Sequence, residues 1–84
     1  MYENEKVISF DTFDDVQEFV RAASKCDFEI DLRYNRNLID AKSLLGVMAI
    51  GLSYNVTVCY GGNNQSFQNT IEKFSIALCS PASI

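Results

Sequence analysis

With 84 residues and 48% hydrophobic content, the chain is read as a single domain spanning 1–84, able to build one shared core but too small for a deep pocket. Seven basic against eleven acidic residues leave a net charge of −4 and no Lys/Arg run, so no nucleic-acid partner is expected. The absence of any histidine excludes Ser-His-Asp and Cys-His nucleophile arrangements, histidine general bases and histidine metal sites.

The first predicted element is a strand over "EKVISF", residues 5–10. A helix follows in "DTFDDVQEFVRAASK", where Val16, Phe19, Val20 and Ala23 recur at i, i+3, i+4 and i+7 and so line one core-facing stripe. Asp11 or Thr12 is placed to cap it, and Lys25 to complement its C-terminal end. The acids Asp11, Asp14 and Asp15 at its start are read as complements to the helix dipole rather than as a carboxylate catalytic site.

"FEIDLRY" alternates Phe28, Ile30, Leu32 and Tyr34 with Glu29, Asp31 and Arg33, a strand with one core face and one wet face. "NRN" supplies a turn, and Leu38 to Ala41 the return strand. "NVTVCYG" alternates Val56, Val58 and Tyr60 with Thr57 and Cys59, and "GNNQ" breaks it. A final helix, capped by Ser66 and stopped by Pro81, is predicted from Phe67, Ile71, Phe74 and Leu78. Because every strand has a polar face, the order β-α-β-β-α-β-α predicts an α+β open-faced sandwich, an antiparallel sheet covered by helices on one side.

Cys26, Cys59 and Cys79 are odd in number, widely spaced and without a C-x-x-C pair; they are expected to be reduced thiols, with no metal or cofactor bound. The longest apolar run, residues 44–52, falls far short of the ~20 residues of a spanning helix, and "MYENEKV" does not read as a signal peptide. The expectation is a cytoplasmic protein that does not engage membranes.

The central stretch "DAKSLLGVMAIGL" predicts a short helix with Ser43 at or next to its N-cap and Gly51 at its end. Leu44, Leu45 and Met48 fall on one arc, Val47 and Ile50 on another. Val47 and Ile50 are expected to face the sheet, leaving Leu44, Leu45 and Met48 at least partly exposed as a partner surface. The alternative is that all five are core and that the Ser43 hydroxyl only caps the helix. A phosphate on Ser43 would add about two negative charges beside the patch without unfolding the helix.

"AASKCDFEIDLRYN" followed by "AKSLLGVMAIGL" resembles HPr, the phosphocarrier family of the bacterial sugar phosphotransferase system, most clearly from about Val20 to Val58. The resemblance implies a four-stranded antiparallel sheet with three helices on one face. It also implies a histidine before the first helix that relays phosphate from Enzyme I to sugar permeases. Here "FDTFDDV" puts Thr12 at that position, with Asp14 and Asp15 where the family has arginine and proline. The imidazole is missing, and the cation that would steady its phosphate is replaced by an anion.

The resemblance keeps the family's second site. In that family a dedicated kinase, HPr kinase, phosphorylates the serine matching Ser43, and the patch matching Leu44, Leu45 and Met48 docks the kinase and a transcriptional regulator. A histidine-less relative, the catabolite repression HPr-like protein, keeps only this serine function. Arg36, Asn55 and Asn64 stand where the family often has glycine. The leading expectation is therefore a regulatory or interaction module rather than an enzyme. The alternatives are phosphotransfer through Thr12 or Cys26, and an HPr-like fold used for unrelated binding or assembly.

Overall fold

The computed structural model describes residues 4–75. Strand β1 (Asn4–Ile8) leads to α1 (Phe13–Ser24), β2 (Ile30–Tyr34), β3 (Asn37–Asp40), α2 (Leu44–Ile50), β4 (Val56–Tyr60) and α3 (Gln65–Phe74). The sheet is antiparallel throughout, in the order β1-β4-β2-β3. The element order predicted from periodicity is the observed one.

Side-chain alternation decides which face of the sheet the helices cover. Ile8, Ile30, Leu32, Val56, Val58 and Tyr60 point one way, into a core shared with Val16, Phe19 and Ala23 of α1, Val47 of α2 and Phe67 and Ile71 of α3. Rings run through this core in sequence: Phe74 on Phe10 at 5.6 Å, Phe10 on Phe19 at 5.3 Å, Phe19 on Phe67 at 5.9 Å and Phe67 on Tyr60 at 5.3 Å. All four pairs are tilted or edge-on, the arrangement that ring quadrupoles favour. No polar or charged side chain is buried among the described residues.

The opposite face carries polar residues. There Arg33 of β2 reaches diagonally across β4 to Glu5 of β1, at 3.2 Å between Nη2 and Oε1. Glu5 and Asp31 flank Cys59 in register, so Cys59 is only 1% exposed although it lies on the face opposite the core. Its position matches the alternation; its burial comes from neighbours on two other strands.

Several boundaries differ from the sequence reading. β1 ends at Ile8 because the Ser9 N–H donates to the Phe74 carbonyl and Ile8 bridges Ser75, while Phe10 turns into the core. β2 begins at Ile30 rather than Phe28. The hairpin turn narrows to Asn35 and Arg36, with Asn35 at φ 56°, so Asn37 joins β3. Asn64, not Ser66, caps α3: its side chain accepts from the Phe67 N–H at 2.9 Å. An asparagine in extended backbone ahead of the first turn competes better for that role than a serine already inside it. The helix ends at Phe74, where Ser75 turns extended. Leu78, Cys79 and Pro81 lie outside the described residues.

Candidate functional site

The entry to α2 is built by a short series of hydrogen bonds. The Asp40 carboxylate accepts from the Lys42 N–H at 2.9 Å, and the Asp40 carbonyl accepts from the Ser43 N–H at 3.0 Å, bending the chain out of β3. Ser43 then sits in extended backbone as the N-cap, its hydroxyl accepting from the Gly46 N–H at 3.2 Å. Lys42 spans to the end of α1, where its ammonium donates to the Cys26 carbonyl at 2.9 Å. That contact ties the start of α2 to the end of α1 and leaves Ser43 half-buried. Gly46 keeps room for the hydroxyl, since a Cβ there would lie 3.1 Å from Ile39 and 3.3 Å from the Ser43 oxygen.

The helix turns Val47 fully inward, while Leu44 is 37% and Leu45 83% exposed. Met48 and Ile50 are partly buried and pack against the core. Ser43, Leu44, Leu45 and Met48 therefore share one short element, with the hydroxyl directly ahead of the exposed side chains. Sequence reasoning missed three more exposed apolar residues, Leu38 at 62%, Tyr54 at 51% and Phe13 at 49%. Leu38 lines a shallow groove of about 410 Å³ between β3 and the back of α2, with Tyr34 and Ile50. Its cross-strand partner is Arg33, so the pairing turns Leu38 to the open face; a four-residue strand is too short for alternation alone to reveal that.

Thr12 is a structural cap. Its hydroxyl accepts from the Asp15 N–H at 3.2 Å, and the Asp15 carboxylate accepts in return from the Thr12 N–H at 3.2 Å and the Asp11 N–H at 3.1 Å. This reciprocal capping box satisfies backbone donors that the first turn of α1 cannot pair internally. Asp15 and Glu18 line a groove with Ser9 and Lys73, and Lys73 is ion-paired to Glu18. Carboxylates thus surround the Thr12 end of α1, and no hydrogen bond or ion pair links it to Ser43 among the described residues.

Cys26 and Cys59 are buried free thiols, and burial raises the pKa of each above the ordinary 9.0. A thiol so placed is mostly protonated at neutral pH and a poor nucleophile. Among the described residues no group of three or more Cys, Asp or Glu side chains is arranged to hold a metal ion. No described helix is long and apolar enough to cross a membrane.

Residues 15–75 match the model of the HPr component phosphorylation site of the phosphotransferase system. The chain belongs to the HPr family. The matched span includes Ser43 and the whole of α2, and it begins three residues after Thr12. In three dimensions the chain is similar to the crystal structure of HPr-C-His from Thermoanaerobacter tengcongensis, with a TM-score of 0.68 and 23% identity over 83% of this chain and 92% of that one. The HPr fold is thus the β-α-β-β-α-β-α sandwich described above. Members of this family are phosphocarriers that work through contacts with other phosphotransferase-system proteins.

Proposed function

We propose that this HPr-family chain is a regulatory docking module in the cytoplasm, acting through Ser43 and the exposed face of α2, and that it does not carry phosphate on a histidine. The observation that carries the reading is the arrangement at α2: a half-buried capping hydroxyl immediately before Leu44 and Leu45, which remain exposed. Exposed apolar side chains grouped on one helix suit a protein partner. Phosphorylation of Ser43 by an HPr-type kinase changes that surface by about two negative charges while the Gly46 N–H still has an oxygen to bond. A transcriptional regulator is the partner class that the family resemblance supports.

The chain contains no histidine, and among the described residues the Thr12 hydroxyl, which accepts from the Asp15 N–H, donates to no base that would activate it. A phosphoryl group there would face the carboxylates of Asp11 and Asp15. The test is incubation with HPr kinase and ATP followed by mass spectrometry of the Ser43 peptide. A single phosphate on Ser43, lost in Ser43→Ala, is expected; absence of any mass gain overturns the modification and leaves docking through α2 alone.

A further inference from the structure

We propose that the groove between α1 and α3 binds a small soluble phosphate-bearing anion. The groove, about 280 Å³, is lined by Arg21, Ala22 and Lys25 from α1 and by Asn64, Ser66 and Thr70 at the start of α3. It is distinct from the Ser43 surface, and the proposal does not rest on the docking reading.

Apart from Arg36 in the β2–β3 turn, the other cations of this acidic chain are occupied. Lys6 pairs with Glu72, Arg33 with Glu5 and Lys73 with Glu18, while Lys42 donates to the Cys26 carbonyl. Arg21 and Lys25 have no such partner among the described residues, yet they stand four residues apart on one helix face, where like charges repel. Both line the same groove.

The polar groups beside them are mainly donors. Asn64 Oδ1 is taken by the Phe67 N–H, which leaves its amide hydrogens for a ligand. Among the described residues the Ser66 hydroxyl has no protein partner, whereas that of Thr70 is given to the Ser66 carbonyl. The carboxylate at the edge, Glu18, is neutralised by Lys73. Unmatched cations and donors around a cleft call for an acceptor-rich ligand of opposite charge, and a phosphate offers its oxygens to a guanidinium in the favoured two-pronged geometry. The volume lies at the low end for ligand sites, and the partly buried Ala22 offers apolar contact to a short carbon skeleton.

The experiment is a titration of the isotope-labelled chain with inorganic phosphate and with glycerol phosphate, read by backbone amide NMR at ionic strength held constant with chloride. Saturable shifts at Arg21, Lys25, Asn64 and Ser66 are expected, larger for the organic phosphate. The Arg21→Ala, Lys25→Ala double variant should bind at least about tenfold more weakly, as should Ser66→Glu, which sets a carboxylate in the groove. Far-UV circular dichroism checks that both variants remain folded. Shifts that stay linear, or that match those caused by chloride, overturn the proposal, as does a double variant that titrates like the parent. Cosedimentation with phosphatidic-acid vesicles without a saturable response to the soluble phosphates also overturns it, in favour of a lipid headgroup.

Discussion

Thr12 is the residue that the sequence resemblance sets at the place of the family's phosphorylated histidine, and its structural role can be measured directly. Thr12→Ala deletes the hydroxyl that accepts from the Asp15 N–H at 3.2 Å, while the two N–H donations into the Asp15 carboxylate survive because they come from backbone. The site is exposed, so water replaces part of the lost bond, and the expected cost is about 1 kcal/mol, within the usual ~0.5–2 kcal/mol for a lost N-cap. For a domain of 84 residues the unfolding entropy near Tm is about 180 cal/mol/K, so the midpoint falls by about 5–6 °C. In urea, with m of about 1 kcal/mol/M, it moves by about 1 M. Thr12→Asn keeps a capping oxygen and should stay within about 0.3 kcal/mol of the parent. Thermal and urea unfolding of the three proteins provide the assay. An alanine variant as stable as the parent, or an asparagine variant as weakened as alanine, refutes the capping assignment.

Leu45→Glu should leave the urea midpoint within about 0.5 kcal/mol of the parent, because Leu45 is 83% exposed, yet abolish partner binding measured by calorimetry; retained binding removes α2 from the interface. Gly62→Ala should cost about 1–3 kcal/mol, since a Cβ there would lie 2.1 Å from the Phe28 ring, and a variant of unchanged midpoint contradicts that packing. Glu5→Ala opens the cover over Cys59 and should speed modification of that thiol, read peptide by peptide with a maleimide, without a matching change at Cys26. Burial raises the Cys26 and Cys59 pKa values above 9.0 and that of Tyr60 above 10.0. As the pH rises through 9 and then 10 the unfolded chain therefore sheds protons that the folded chain keeps, and stability falls; urea midpoints that rise with pH there contradict the assignment.

The pattern of apolar residues by itself determined the type and order of the elements, because periods of two and 3.6 residues depend only on local backbone geometry. "FEIDLRY" can bury one face only as a strand, and the stripe Val16, Phe19, Val20 and Ala23 can do so only as a helix. The Ser43 cap was legible for the same reason, since a capping side chain reaches only the next few residues. Burial of Cys59 was not legible, because it depends on Glu5 and Asp31 from strands distant in sequence. The same holds for the cleft that gathers Arg21 and Lys25 with Asn64 and Ser66: roughly forty residues separate the two helices that form it, and only their antiparallel docking over the sheet brings those donors together.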